Sequence, residues 1–385
     1  MENLVLYRKY RPQKFADVAG QDHVTVTISN EIKSGHVAHA YLFSGPRGCG
    51  KTTTARIIAK AVNCLDRLPE SAEPCDKCAN CTEIQSGRAI DLIEIDAASH
   101  RGIDDIRELR EGIKFAPTKL KYKVFIIDEC HQLSKDAANA LLKTLEEPPA
   151  HAIFILATTE LHKMLPTILS RCQKFDFRKL TLPELTARLQ KLADNEGVKV
   201  EKAALELVAL SSGGSVRDAE SLLGQVLVSS EGGKKTAIKA EDIRQSLGIT
   251  ETKSIGEFVE ILSQNKTAEA VNYLNNIVER GYDIQEYAKS VIGYLRQSLI
   301  LSILGAKDAK NDNFMIAGLT EEEFELLKKQ TLAMGETKIK KIINIFLLAQ
   351  EKIKYSPIPQ LPLELAIVDA CLSDQPIIID TQKKA

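Results

Sequence analysis

At 385 residues the chain exceeds what one hydrophobic core usually organises, so two or three domains are expected. Hydrophobic residues make up 44% and charged residues 27%, and the formal net charge of −1 excludes a global basic field, so any nucleic-acid contact must come from a local stripe. The first residues carry no apolar core with a small-residue cleavage site, and no apolar run is long enough to cross a bilayer; a cytoplasmic chain with reduced thiols and no membrane partner is expected.

Along the first half, short apolar runs alternate with helical patterns, which predicts a parallel α/β sheet with flanking helices. The expected strands are Ala40–Ser44, Asp91–Asp96, Lys123–Asp128, Ala152–Thr158 and Lys174–Phe177. Val124–Ile127 is apolar on both faces, as a central strand covered by helices must be. The pattern breaks near Lys179–Pro183. From Leu182 to about Leu247 the chain reads as helical, interrupted by turn clusters at Ser211–Ser215 and Glu231–Lys235. It is helical again from Thr250 to Leu372, where Ile255, Phe258, Val259 and Leu262, then Ile342, Ile345, Phe346 and Ala349, recur at helical spacing. A Pro-rich bend over Ser356–Pro362 separates the last two helices.

Between the first two strands lies Gly45-Pro46-Arg47-Gly48-Cys49-Gly50-Lys51-Thr52, a full G-x-x-x-x-G-K-[ST] match that follows a strand and opens a helix over Thr52–Ala61. The glycines let backbone N–H groups curl round phosphate oxygens, and the helix N-terminus adds partial positive charge. Lys51 is placed to meet the β- and γ-phosphates and the Thr52 hydroxyl to ligate Mg²⁺, with Thr53 next in the helix as a further nucleotide contact. Asp128, at the end of the Val124–Ile127 strand, suits Mg²⁺, and Glu129 suits polarisation of an attacking water. The Asn265-Lys266 pair lacks the context of guanine recognition, so ATP is the expected nucleotide.

Three of the eight cysteines form Cys75-x2-Cys78-x2-Cys81, a metal-site spacing in a reducing compartment. Lys135, Asn139 and Lys143, four apart in the helix that Ser134 caps, share one polar face opposite Ala138, Leu141, Leu142 and Leu145. Such a stripe grips phosphates without reading bases; an ordinary solvated face explains the same pattern.

Further blocks carry a family resemblance. Asp128–Ser134, Ala140–Pro149, Leu156–Thr159, Ile168–Cys172, Gly214–Ala219 and the opening Tyr10-Arg11-Pro12 with Phe15–Gln21 together resemble the clamp-loader branch of the AAA+ ATPases. The insertion Cys64-x10-Cys75-x2-Cys78-x2-Cys81 narrows the resemblance to the bacterial gamma/tau group. The resemblance implies an AAA+ P-loop module over residues 1–179 with a four-cysteine insertion at about 64–81, a helical lid over 180–247, an all-α collar over 248–373 and a tail over 374–385. Four thiolates suit tetrahedral Zn²⁺; an iron–sulfur cluster takes the same ligands, but nothing else in the chain suggests electron transfer.

By the same resemblance Thr158 or its neighbour Thr159 senses the γ-phosphate, Arg217 contacts phosphate from the lid, and Arg11 and Val18 line the adenine pocket. Arg171 corresponds to an arginine finger that serves the ATP of a neighbouring subunit. Lys135, Thr167, Lys143 and Arg107 correspond to DNA-tracking positions; where relatives carry a further arginine this chain has His100 followed by Arg101. The implied function is that of an ATP-driven motor in the DNA polymerase III clamp loader. Its implied partners are delta- and delta-prime-type subunits in a heteropentamer, a sliding clamp and primed template DNA. Another AAA+ remodeller, such as a helicase loader, and a collar subunit with a vestigial ATP site are the competing readings. The cysteine cluster and the Ser170-Arg171-Cys172 context oppose the first; the Lys51, Thr52, Asp128 and Glu129 set opposes the second.

Overall fold

A computed structural model of the chain describes residues 5–99, 112–113, 115–230, 237–247, 252–304 and 321–372. They fall into two compact units, Met1–Lys199 with Val208–Val228, and Val200–Leu207 with Ser229–Ala385. Arg107, His100, Arg101 and the tail from residue 374 lie outside the described residues.

The first unit is built on a five-stranded parallel sheet of β1 (Ala40–Ser44), β2 (Leu92–Asp96), β3 (Lys123–Asp128), β4 (Ala152–Thr158) and β5 (Gln173–Asp176), in the order β2-β3-β4-β1-β5. Period-two alternation divides its side chains between two cores. Tyr41, Phe43, Val124, Ile126, Ile155 and Phe175 pack with Ile57 and Ile58 of the helix Lys51–Asn63. Leu42, Phe125, Ile127, Phe154 and Leu156 pack with Leu141 and Leu145 of the helix Lys135–Glu146, where the Phe125 and Phe154 rings stack 5.2 Å apart. With both faces covered, β1 and β4 are buried along their whole length, which explains the unbroken apolar runs.

The carboxyl ends of β1, β3 and β4 lie side by side, with Ser44 level with Thr158. Because β1 sits between β4 and β5, the chain's path across the sheet reverses there, the place where open α/β sheets leave a crevice for ligands. Beyond β5 the chain enters the helix Leu182–Asn195, started by a Thr181/Glu184 capping box, and later the helix Val216–Ser230.

The second unit is mostly helical among its described residues, with one isolated parallel bridge between Val200 and Ile238. Its core gathers Phe258, Leu274, Tyr287, Leu295, Ile339, Phe346 and Leu363 from the helices Thr252–Ser263, Thr267–Glu279, Ile284–Leu304, Glu321–Ile353 and Leu361–Leu372. The long helix is broken at Gly335 (φ 70°), a backbone conformation suited to glycine. Inside the core the Tyr294 hydroxyl donates to Gln330 Oε1 (2.8 Å) and Gln330 Nε2 donates to the Gly256 carbonyl (2.9 Å), so these buried polar groups are satisfied. No helix among the described residues is long and apolar enough to cross a membrane.

Candidate nucleotide site and cysteine cluster

The loop after β1 needs its glycines. Gly45, Gly48 and Gly50 have φ values of 140°, 75° and 106°, and a Cβ on Gly45 would lie 2.2 Å from the Phe177 carbonyl oxygen. The loop leads straight into the helix that starts at Lys51, so successive N–H groups and the helix N-terminus face one spot. Lys51 is buried, and its Nζ donates to the Gly45 and Pro46 carbonyls at 2.7 and 2.8 Å.

Across the cleft, the Thr52 hydroxyl donates to Asp128 Oδ2 at 2.6 Å. This brings together two oxygen donors of the kind a hard divalent cation takes, so the residues fit Mg²⁺. Glu129 adopts a left-handed conformation (φ 47°), and its backbone N–H donates to Asp128 Oδ1 at 2.9 Å. Its Oε2 accepts the Thr159 hydroxyl at 2.8 Å and the Thr159 N–H at 3.3 Å. Of the two threonines considered as sensor, Thr159 is the one that lines the cleft. Thr158, at the end of β4, is fully buried, and its hydroxyl meets His131 Nδ1 at 3.0 Å and accepts the Glu160 N–H.

The cleft has a volume of ≈ 680 Å³, and Arg11, Val18, Arg47, Gly48, Cys49, Gly50, Lys51, Thr52, Thr53, Asp128, Glu129 and Arg217 all line it. Arg11 is half-buried, and burial, then the charge of Arg56, lowers its pKa. Arg217, near the start of the helix Val216–Ser230, stacks on Tyr7 with its guanidinium carbon 4.8 Å from the ring centroid. Hydrogen bonding to Arg217, then to Arg8, pulls the Tyr7 phenol below its ordinary pKa. The Gly48 carbonyl accepts the Val216 N–H at 3.1 Å, so this helix is hydrogen-bonded to the phosphate loop.

Several lining or supporting groups have no sequence signal. Tyr7 and the Arg188–Glu220 pair (2.9 Å) line the cleft, and burial raises the Glu220 pKa against the opposing charge of Arg188. Gln21, fully buried, donates to the Arg178 carbonyl at 2.7 Å and accepts the Arg178 N–H at 3.2 Å. Only the Phe15–Gln21 resemblance points near it.

Arg171 does not line this cleft. Its guanidinium pairs with Glu146 at 2.7 Å and donates to the Thr167 carbonyl at 2.7 Å, on the surface where the helices Lys135–Glu146 and Pro166–Leu169 meet. Lys135, Asn139, Lys143 and Thr167 are exposed on those helices, while Ala138, Leu141 and Leu145 are buried.

The sulfurs of Cys64, Cys75, Cys78 and Cys81 all lie within 4.8 Å of one another. The Cys64–Cys78 and Cys75–Cys81 separations are 4.0 Å each, against about 3.8 Å for the edge of a tetrahedron with Zn–S bonds near 2.3 Å. Backbone N–H groups of Lys77 and Cys78 point at Cys75 Sγ (3.4 and 3.2 Å), and that of Cys75 at Cys64 Sγ (3.3 Å), an arrangement that stabilises thiolates. Burial works against the Cys78 thiolate, but N–H donors from Cys81 and Leu65 and the neighbouring thiols bring its pKa down to about 7. The cluster is compatible with zinc. The other four cysteines lie apart from it, and Cys49, Cys130 and Cys371 are buried.

A phosphate-binding loop, a carboxylate pair on the neighbouring strand and an arginine from a following helix, converging at the carboxyl edge of a parallel sheet, define a P-loop nucleotide-binding module of the AAA+ type. Residues 20–181 match the family described as "DNA polymerase III, delta subunit", residues 184–232 the "DNA polymerase III clamp loader subunit, ATPase lid domain", and residues 238–381 the "DNA polymerase III subunits gamma and tau domain III". The chain is 42% identical over 371 residues to the DNA polymerase III subunit tau of Bacillus subtilis, covering 96% of this chain and 64% of that one. It is 39% identical over 300 residues to the DNA polymerase III subunit gamma of Buchnera aphidicola, covering 78% of this chain and 80% of that one. A more distant likeness, 20% identity and a TM-score of 0.47, links 66% of the chain to 79% of the Thermotoga maritima RuvB branch migration motor. The chain belongs to the gamma/tau family of DNA polymerase III subunits. It spans a little under two thirds of the length of the Bacillus subtilis relative.

Proposed function

We propose that this chain is an ATP-driven motor subunit of a replicative clamp loader, binding and hydrolysing ATP to open a sliding clamp and place it on primed DNA. The observation that carries this reading is the single cleft in which the P-loop, the Thr52–Asp128 contact and the Glu129–Thr159 contact face Arg217. When bound, Mg²⁺ would neutralise charge developing on the phosphates, held by Thr52 and, through water, Asp128. Lys51 adds positive charge at the β- and γ-phosphates. Glu129 orients the attacking water and takes its proton as the water oxygen bonds phosphorus and the bond to the ADP oxygen breaks. Thr159 holds the Glu129 carboxylate and senses the γ-phosphate; Arg217 closes over the phosphates.

Arg171 acts in trans. Its place outside the lining of its own chain's cleft and its surface position suit contact with a neighbour's ATP, and a finger of this kind is worth about 10³–10⁵ in rate. The exposed Lys135, Lys143 and Thr167 follow the DNA backbone, with Arg107 from the stretch outside the described residues. Zinc, held by Cys64, Cys75, Cys78 and Cys81, has a structural role. The working division is an ATPase module over 1–179, a lid over 180–247 and a collar over 248–373 that assembles with delta- and delta-prime-type subunits; the expected setting is the cytoplasm.

The test is a comparison of two variants. Lys51→Ala should lose binding of a fluorescent ATP analogue. Glu129→Gln should keep binding but fail to turn over ATP in the assembled loader, because the phosphate cradle survives while the water loses its base. Equal loss of binding in both would remove the distinction between cradle and base.

A further inference from the structure

Between the cysteine cluster and the nucleotide cleft runs a set of contacts that neither metal binding nor hydrolysis accounts for. The insertion leaves the P-loop helix at Cys64 and carries Glu73 two residues before Cys75. The Glu73 carboxylate accepts two backbone N–H groups, Phe15 at 2.8 Å through Oε2 and Ala16 at 2.9 Å through Oε1. Both belong to the short turn Phe15–Asp17, directly before Val18 in the wall of the cleft. Ala72 is buried in the same core as Phe15 and Val18, so the carboxylate is delivered by a packed backbone. Two residues earlier in the wall segment, Gln13 is tied as well. Lys60 Nζ donates to the Gln13 carbonyl (3.1 Å) and Gln13 Oε1 (2.8 Å) and pairs with Asp76, between Cys75 and Cys78. Lys60 is 2% exposed, and burying its charge is tolerated only because these acceptors and the Asp76 carboxylate surround it.

The stretch from Arg11 to Ala19 is therefore held at two points, by Glu73 just before the cysteines and by Lys60 of the P-loop helix, which is itself paired with Asp76 between two of them. Arg11, Pro12, Val18 and Ala19 line the cleft together with the phosphate loop, and on the proposed reading Arg11 and Val18 belong to its base side. We propose that the cysteine insertion is a strut for the base-side wall of the cleft, with Glu73 as the positioning residue that transmits the ordering of the metal cluster to Val18. This rests on the reading that the cleft takes ATP. In the strut, the metal fixes Cys75 and Cys78, the fixed knuckle sets Glu73 and Asp76, and these set the turn that shapes the base pocket. Metal occupancy then tunes affinity for the base and not for the phosphates.

The experiment is a pair of titrations on the full chain, with a fluorescent ATP analogue and, by competition, with inorganic tripolyphosphate, which needs the phosphate loop but no base pocket. Glu73→Ala removes an acceptor of two charge-assisted hydrogen bonds and should weaken ATP about tenfold while leaving tripolyphosphate within about twofold. Glu73→Gln keeps one acceptor oxygen and should recover part of the loss, which also covers the case in which the alanine variant does not fold. Stripping the metal from the wild-type chain with a chelator should reproduce the selective loss, and chelation of Glu73→Ala should add little to it. ATP affinity unchanged in Glu73→Ala, or equal weakening of ATP and tripolyphosphate, would overturn the strut. A wild-type chain that binds tripolyphosphate but gains nothing from adenosine would instead overturn the ATP reading, and the strut with it.

Discussion

Gly48→Ala should damage the site from the inside, by an amount the local geometry sets. Gly48 sits at φ 75°, where a residue with a Cβ pays about 1–2 kcal/mol. The new Cβ would lie 2.1 Å from Ser215 Oγ and 3.3 Å from Ser215 Cβ and Arg217 Cβ. Ser215 Oγ accepts the Asp218 N–H at 3.3 Å, so pushing it aside gives up a helix cap worth about 1 kcal/mol. The sum is about 2–3 kcal/mol. The displacement also opens the bond between the Gly48 carbonyl and the Val216 N–H and moves Arg217 within the cleft, so on the proposed reading ATP binding should fall together with stability. Urea unfolding followed by circular dichroism, paired with ATP-analogue titration, measures both. In a Ser215→Ala background the hydroxyl and its cap are already gone, so adding Gly48→Ala should cost about 1 kcal/mol less than in the wild type. A Gly48→Ala variant within about 0.5 kcal/mol of wild type, or a penalty unchanged by Ser215→Ala, would refute the contact as the cause.

Other outcomes follow from different parts of the chain. Metal analysis of the purified protein should find about one zinc, absent from Cys81→Ser, and chelation should expose the 66–86 stretch to proteolysis before the sheet unfolds. Replacing Lys135 and Lys143 together with alanine should flatten the slope of log affinity for primed DNA against log salt in the assembled loader, by about 0.9 for each phosphate that the lysines neutralise; an unchanged slope would leave a solvated face. Arg178 beside Glu184, helped by the Thr181 N–H, holds the Glu184 carboxyl at about 2 against an ordinary 4.5. The sign follows: this stabilisation is present above the unfolded value, is lost as pH falls from about 4.5 towards 2, and is worth at most about 1 kcal/mol at so exposed a pair. Arg178→Ala should therefore narrow the stability gap between pH 6 and pH 3, read from unfolding midpoints.

The parts of the site that are legible in the sequence are those whose geometry is local. Gly45–Thr52 specifies its own loop because positive φ angles, a strand before and a helix after all lie within a few residues. The cysteine knuckle is local in the same way, and Asp128 is placed by the strand that ends at it. Strand limits are legible to within a residue: the apolar pattern predicts Lys174–Phe177 and the sheet holds Gln173–Asp176, because Phe175 and Phe177 are both buried and apolarity runs past the ladder. Contacts across long stretches of chain are not legible. Tyr7 against Arg217, Arg188 against Glu220, and Glu73 against Phe15 join residues whose spacing carries no period. Choosing between Thr158 and Thr159 depends on which one turns towards the cleft at the end of β4, which adjacent identical residues do not reveal.

On the proposed reading hydrolysis at each cleft depends on a seated neighbour, and a mixing experiment on the assembled loader tests this most directly. Arg171→Ala subunits, combined with neighbours whose own clefts are intact, should bind ATP normally yet lose clamp- and DNA-stimulated hydrolysis about 10³-fold at the interface that lacks the arginine, and only there. If the isolated chain hydrolyses ATP as fast as the assembly, and Arg171→Ala changes neither rate, Arg171 is a partner for Glu146 alone and the assembly-gated motor is wrong.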